Sequence, residues 1–404
     1  MPAESCHPLA HSRWGVALLA SLAVFTPMAI DMYLPALPTI GRDLGTGDSQ
    51  MQWTVSIFLL GSCVGMLAYG PISDSFGRRG VMLSGIAVFI AASLACAAAA
   101  DAGTLIGLRF LQAAGGGGAA VMSRAIVRDI FPRAECARVL SLVALVTAIT
   151  PMLAPLVGGQ VLAAAGWRGI FLVLAAYGFV ALALAWVRIP ESHPAEHRAG
   201  LKLWAAVAVY AQLLRDRAAW GCVLCAGGTF AAMFAYIAGT PFVYIEHFGV
   251  SPQLYGVLFG LNIVSQMIGT YLNSRLLARH SLMTLSRWAA AVGLAGGTAL
   301  LAAGLSGQGG LIAIVLPLLL VVGVSVLQAS NMTARIIALY PDNAGAAAAA
   351  LTSAMFGLGA VSSLGVSLLN DGTPLAMGLI IFLCCALAAA GLSPLFAGRG
   401  TGRA

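Results

Sequence analysis

Apolar segments of about twenty residues follow one another along nearly the whole chain, separated by short polar stretches. About twenty apolar residues in helical form cross the hydrocarbon core of a bilayer. Twelve such segments are centred near residues 14–38, 50–72, 80–100, 103–125, 137–164, 168–188, 218–243, 253–276, 283–305, 310–338, 345–369 and 374–396. In lipid every backbone N–H and C=O must find a partner within the protein, so these runs predict helices. The expected architecture is an all-α polytopic membrane protein of about twelve transmembrane helices. The first span is long and leads directly into further spans, which argues for a retained helix over a cleaved signal.

One polar interruption is longer than the rest. "RIPESHPAEHRAGLK" (188–202) and the amphipathic stretch up to Arg217 divide the spans six and six. The expected domains are an N-terminal six-helix half (1–188), a cytoplasmic linker (189–217) and a C-terminal six-helix half (218–404). The halves echo each other at an offset near 210. "MSRAIVRDIFP" (122–132) resembles "MTARIIALYP" (332–341), and "GPISDSFGRR" (70–79) has a degraded counterpart in "GTYLNSRLLAR" (269–279). "FTPMAIDMY" (25–33) lies opposite "FAYIAGTPF" (234–242), so Thr240 answers Asp31. Parallel repeats of this kind predict two pseudo-symmetric halves with a substrate site near the bilayer midplane.

Composition narrows the class. Of 404 residues 60% are hydrophobic and only 9% charged, too little charge to cover the surface of a water-soluble domain. The formal charge of +7 would suggest nucleic acid, but its distribution removes that reading. With the N-terminus inside, all but three of the 21 Lys and Arg fall in inner loops and tails; the exceptions are Arg42, Arg168 and Arg109. The outer loops carry Asp43, Asp48, Asp101, Glu246 and Asp371. This is the positive-inside pattern, and it places both termini in the cytoplasm. The eight cysteines, including Cys222, Cys225, Cys384 and Cys385, read as small packing residues, because no second ligand pair accompanies them. His7, His11, His193 and His197 sit in the tail and linker and read as solvated. No paired catalytic acids, phosphate loop or metal cluster supports an enzyme, so neither a cofactor nor a metal is expected.

The loop "GPISDSFGRRGVM" (70–82) combines Gly70 and Gly77, expected to allow a tight turn, with Asp74, Arg78 and Arg79 as a compact cytoplasmic charge latch. Span four, "LIGLRFLQAAGGGGAAVMSR", embeds Arg109 and then Gln112 before four glycines. A guanidinium at that depth costs roughly 2.5–3.5 kcal/mol on insertion scales, so it should face a partner or a wet cavity, unless it snorkels outward. The glycines suit close helix approach. Span five, "TAITPMLAPLVGGQVL", places Pro151 and Pro155 before Gly158 and Gly159, a pattern that bends a helix and thins one face. In span one, Asp31 stands alone among apolar residues, between Pro27 and the pair Pro35 and Pro38. It is either wetted at the outer end of the span or embedded for a reason.

Together these stretches resemble a known family. G-x-x-x-D-x-x-G-R-R resembles the loop between spans two and three of the major facilitator superfamily, where the aspartate pairs with arginines and with the start of span eleven, here near Asn343. "RFLQA" resembles the superfamily's R-x-x-Q-G motif of span four, linked to proton coupling, with Ala113 for its glycine. P-x-x-G-G resembles the antiporter motif, with Ser141, Thr150 and Ala154 in place of its usual glycines. "IDMYLPALP" resembles the span-one signature of the Bcr/CflA drug-resistance transporters, a branch of the twelve-span drug/proton antiporters. The resemblance implies a proton-coupled exporter of small amphipathic compounds in a bacterial inner membrane, with Asp31 and Arg109 in proton coupling. A proton-coupled symporter or exporter of a nutrient or metabolite is the alternative. Candidate cavity residues are Tyr33, Gln112, Tyr236, Asn262, Gln266, Gln328, Asn331 and Phe356, each as readily a helix-packing residue. The partners expected are a small-molecule substrate, protons and the lipid bilayer, and the expected state is a monomer.

Overall fold

The computed structural model describes residues 13–193, 215–341 and 344–393. The latch partner expected near Asn343, the histidines at 7, 11 and 197, and most of the linker lie outside them. Among the described residues the fold is helical throughout. In chain order the helices are α1 (Arg13–Ala23), α2 (Phe25–Asp31), α3 (Leu37–Asp43), α4 (Asp48–Phe76), α5 (Arg78–Ala97), α6 (Ala102–Ile130) and α7 (Arg133–Arg188). After the linker come α8 (Arg217–Thr240), α9 (Pro252–Leu276), α10 (Leu282–Ser306), α11 (Ile312–Gly323), α12 (Ser325–Leu339), α13 (Ala344–Leu369) and α14 (Leu375–Ala390).

These helices make twelve spans. Eight helical runs are long and apolar enough to cross a membrane. One of them, α7, is two spans joined without a loop, broken only at Gly166 with φ 67°. The first span is a bent pair with a 51° angle. The remaining two are α14, short at 16 residues, and α9, made less apolar by Asn262, Gln266, Asn273 and Arg275. Large apolar side chains point outward from many spans, among them Phe179, Val187, Leu305, Ile312 and Leu368, as expected where lipid is the solvent.

Proline positions explain the shape of span one. Pro27 cannot donate to the carbonyl of Ala23 and crowds it, and the helix breaks between Ala23 and Phe25. Pro35 does the same to Asp31, where α2 ends. A 3₁₀ turn (Leu34–Ala36) follows, and Pro38 sits in the first turn of α3, where a missing N–H costs nothing.

The chain forms two compact units. One comprises the chain up to Tyr33 and from Gly61 to the linker. Its interior is stitched by Phe25 packed on Phe89 and Tyr177, both at 4.9 Å. Tyr177 donates to the Ser21 carbonyl at 2.5 Å, and Ser123 to that of Leu19 at 2.6 Å. The other comprises Leu34–Leu60 with the residues after the linker. This differs from a division at the linker alone, because the end of span one and the first half of span two pack with the later helices. Ser56 bonds to Ser363 at 2.8 Å, Ser49 donates to the Ser367 carbonyl at 2.9 Å, and Ser367 donates back to that of Ser49 at 2.6 Å. Arg42 pairs with Glu246 at 3.6 Å beside a pocket of about 260 Å³ lined by Asp48, Glu246, His247 and Asn370. In this unit α8 runs on into a π-helical turn (Pro241–His247), at the place that answers the break in span one.

Candidate functional site

The site grows from the break after Asp31. Met32 N–H still bonds to Met28 at 3.1 Å, but Tyr33 N–H reaches Ile30 at 3.2 Å and not Ala29. The Ala29 carbonyl is taken by a side chain, the Arg109 guanidinium, at 3.0 Å. The same nitrogen donates to Gln112 Oε1 at 2.5 Å, one turn along α6. The guanidinium carbon also lies 4.3 Å from the centre of the Tyr33 ring, which packs on Phe171 at 5.5 Å. Gln112 Nε2 in turn donates to Ser93 Oγ at 2.8 Å, and Ser93 donates to the Phe89 carbonyl at 2.7 Å. Arg109, Gln112 and Ser93 have no exposed surface. A buried cation is thus held by a freed carbonyl, an amide oxygen and an aromatic face; a desolvated cation–π contact alone contributes about 2 kcal/mol.

Asp31 lies two residues beyond the carbonyl that Arg109 holds. It is buried, with 4% of its surface exposed. Among the described residues its carboxylate makes no hydrogen bond or ion pair. Asp31, Tyr33, Arg109 and Gln112 therefore belong to one unit, and no ion pair joins the acid to the guanidinium among the described residues.

Small residues let the other helices approach this break. A methyl group on Gly115 would lie 2.6 Å from the Gly85 carbonyl oxygen and 2.7 Å from Phe89 N. On Gly158 it would collide with the Met32 carbonyl. The P-x-x-G-G stretch of α7, with Pro151 and buried Pro155 upstream and Gly159 buried beside it, presses directly on the segment that carries Asp31.

The cytoplasmic loop is tighter than its sequence suggests. Helix α4 continues through Gly70, Pro71 and Asp74 to Phe76, so Gly70 is helical and only Gly77, at φ 98°, turns the chain. Arg78 pairs with Asp74 at 2.6 Å and with Asp129 at 3.2 Å, and donates to Ser73 at 2.5 Å. Glu191 accepts from the backbone N–H groups of Arg78 at 2.8 Å and Arg79 at 3.3 Å, capping α5. Arg79 donates to the Trp186 carbonyl at 2.7 Å and lies over its ring. Asp129 and Glu191 were missed from sequence. Asp129 lies in a stretch read only as a repeat, and Glu191 opens a linker read only as polar.

In the second unit the candidate cavity residues are dispersed. Tyr236 stacks on Phe259 at 5.4 Å, and Phe356 joins Phe230 and Phe234 at 5.4 and 5.8 Å. Gln328 accepts from the Cys225 thiol at 3.0 Å, and Gln266 donates to Ser325 at 3.1 Å. Asn262 donates to the Leu258 carbonyl at 3.1 Å, while its buried Oδ1 has no hydrogen-bond partner among the described residues. Asn331 exchanges two amide bonds with Asn273, at 3.0 and 3.2 Å, and donates to Ser286 at 3.3 Å. Its side chain ties three helices together. No group of three or more metal-ligating side chains occurs among the described residues.

Comparison with known proteins places this arrangement. The chain is 39% identical over 272 residues to an uncharacterized MFS-type transporter, YdgK, of Bacillus subtilis, covering 67% of this chain and 68% of the relative. It is 31% identical to a bicyclomycin resistance protein homolog of Haemophilus influenzae, over 86% of this chain and 87% of the relative. Multidrug resistance protein MdtL of Salmonella newport is 37% identical over 43% of this chain and 44% of its own length. Among solved structures, a D-xylose-proton symporter superposes with a TM-score of 0.74 at 16% identity, covering 96% of this chain and all of that one. A bacterial homolog of the lysosomal transporter Spinster, inward-facing and unoccupied, gives 0.71 at 17% identity, covering 96% and 93%. These two likenesses show the fold. Residues 19–364 match the sequence profile of the Major Facilitator Superfamily. This multi-pass membrane protein, related to drug-resistance proteins and not an enzyme, belongs to the Major Facilitator Superfamily of transporters.

Proposed function

We propose that the protein is a proton-coupled exporter of small amphipathic compounds, a drug/proton antiporter working by alternating access. The observation that carries this reading is Asp31, a buried carboxylate with no hydrogen bond or ion pair among the described residues, at a break in span one where the Ala29 carbonyl holds a buried arginine. Ionisable groups inside a membrane protein are expensive and mark ion or proton pathways. The printed names of the drug-resistance relatives supply the direction and substrate class.

In this mechanism Asp31 takes a proton from the outer side and releases it inside. The membrane potential supplies about 2.3 kcal/mol per charge for each 100 mV. Substrate is carried outward on the return. Arg109, fixed on Ala29, keeps the break in span one set for both states. Gly158 keeps α7 against the same segment, so movement of one helix is felt by the other. The Arg78–Asp74–Asp129 cluster acts as the cytoplasmic latch. Aromatic and amide side chains, including Tyr236, Phe356, Gln266 and the unspent Asn262 oxygen, suit neutral or weakly charged molecules. The charge pattern supports a bacterial inner-membrane location with both termini cytoplasmic, and the protein works as a monomer, with the lipid bilayer as its surroundings.

Expression in an efflux-deficient bacterium, with minimal inhibitory concentrations across a compound panel, tests the reading. Resistance to at least one amphipathic compound, abolished by a protonophore, is expected. No gain of resistance, together with growth on a new nutrient, would instead favour a proton-coupled symporter.

A further inference from the structure

The turns on the side that the charge pattern places in the cytoplasm are basic, and all but one of them also hold acids. Asp74 lies at the turn after span two, Asp129 and Glu135 after span four, Glu191 and Asp216 in the linker, and Asp342 after span ten. The turn after span eight has Arg275, Arg279 and Arg287 around it and no acid, for none occurs between Glu246 and Asp342. The repeat sharpens the contrast. In the first unit Arg78 pairs with Asp74 and Asp129. In the second, Asn273 stands where Asp74 does, and it is buried and spent on Asn331. Among the described residues Arg275, Arg279 and Arg287 make no ion pair.

One side chain gathers the elements that carry these charges. Asn331 Nδ2 donates both to Asn273 on α9, at 3.2 Å, and to Ser286 on α10, at 3.3 Å. That nitrogen holds the inner ends of the two helices side by side, with Arg275 two residues beyond Asn273 and Arg287 next to Ser286. Helix α9 ends at Leu276 and α10 starts at Leu282, so Arg279 lies in the short turn between them. All three arginines are exposed, and the start of α10 adds the positive end of its dipole. Aromatic residues flank the charge. Arg275 donates to the Tyr271 hydroxyl at 3.1 Å and lies over its ring, and His280 packs edge-on against Trp288 at 4.8 Å. Tyr271 and Trp288 are 57% and 49% exposed, and such rings favour the level of lipid headgroups. Three like charges around one turn call for an anion. The protein offers none nearby in sequence, while the cytoplasmic leaflet is rich in anionic headgroups. We propose that this surface binds the headgroup of an anionic phospholipid, Arg275, Arg279 and Arg287 supplying the charge and Tyr271 and Trp288 sitting at the acyl boundary. The site is separate from the proton site and needs no substrate.

The purified protein in detergent, titrated with phosphatidylglycerol or with phosphatidylcholine of the same acyl chains and followed by native mass spectrometry, tests the proposal. Phosphatidylglycerol should bind about tenfold more tightly or better, and each single change Arg275→Gln, Arg279→Gln or Arg287→Gln should weaken it by roughly fivefold. The three changes together should abolish the preference. Arg128→Gln with Arg138→Gln removes two exposed arginines of the first unit, in a turn that holds Asp129 and Glu135, and should leave the preference intact. Equal affinity for the two lipids overturns the proposal, as does an equal loss in both sets of variants. Should the triple variant fail to fold, the single variants carry the same expectation, and Trp288 gives a second reading. Phosphatidylglycerol brominated in its chains should quench tryptophan fluorescence saturably, and the saturable part should fall in Trp288→Phe. Saturable quenching unchanged by the loss of Trp288 overturns the proposal.

Discussion

Replacing Gly158 by alanine puts a methyl group where the Met32 carbonyl already stands, with the Met32 carbonyl carbon and Cα at 2.8 and 2.9 Å from it. All three obstacles are backbone, so no rotamer change relieves them; α7 must move away from the break in span one or the break must deform. Overpacking of this kind costs about 1–3 kcal/mol. Alanine also gains roughly 1 kcal/mol over glycine in a helix interior, which a single variant would fold into its net effect. Gly117 in α6 supplies the control. A methyl group there meets nothing closer than 3.6 Å, so Gly117→Ala should keep the propensity gain without the clash. The difference between the two variants isolates the collision and should be about 1–3 kcal/mol. Thermal unfolding with a thiol-reactive dye reads it, because Cys96, Cys222, Cys225 and Cys385 are buried in the folded protein. Gly158→Ala should unfold at a lower temperature than Gly117→Ala and export more slowly. Equal unfolding temperatures would refute the close approach of α7 to Met32.

Three further outcomes follow from individual contacts. Glu191→Ala removes the carboxylate that caps α5 through two N–H groups; the loss should be about 0.5–2 kcal/mol in the same unfolding assay, with Glu191→Gln intermediate. Asn331→Leu leaves the buried Asn273 amide without its partner, costing about 1–3 kcal/mol, yet the resistance spectrum should stay that of the wild type, because Asn331 is spent on helix packing. Asp371, in the exposed loop before α14, is held below its usual value of 3.8 by bonds from the Thr373 hydroxyl and N–H. A lowered acid stabilises the folded state above its unfolded value and loses that contribution as pH falls toward the folded one. The advantage of wild type over Asp371→Asn in thermal unfolding should therefore be full near neutrality and shrink once pH drops below about 4.

The sequence carried those parts of the structure that depend on local chemistry. Apolar run length located twelve spans, and Pro27 and Pro35 located both breaks around Asp31, because a proline acts on a carbonyl four residues before it. The charges of Asp74 and Arg78 pointed to an ion pair, which forms at 2.6 Å across the turn at Gly77. What stayed hidden depends on distant partners. Ser93 meets Gln112 across 19 positions, Arg78 meets Asp129 across 51 and its N–H meets Glu191 across 113; nothing near any one of these residues names the other. The turn expected at Gly70 is helix, and the chain turns instead at Gly77. The π-helical turn after Thr240 and the packing of Leu34–Leu60 with the later helices arise from tertiary contacts that periodicity does not encode. Asn331 shows the same limit from the other side: a polar residue in a span reads alike whether it faces a substrate or a second asparagine.

The central claim is that Asp31 links proton entry to export. It is tested most directly in proteoliposomes loaded with a compound to which the wild type confers resistance, by following its transport with and without an imposed pH gradient. The account predicts that the gradient accelerates transport by the wild type and has no effect on Asp31→Asn, while the variant still folds and still exchanges the compound down its own gradient. Undiminished gradient-driven transport by Asp31→Asn would contradict it.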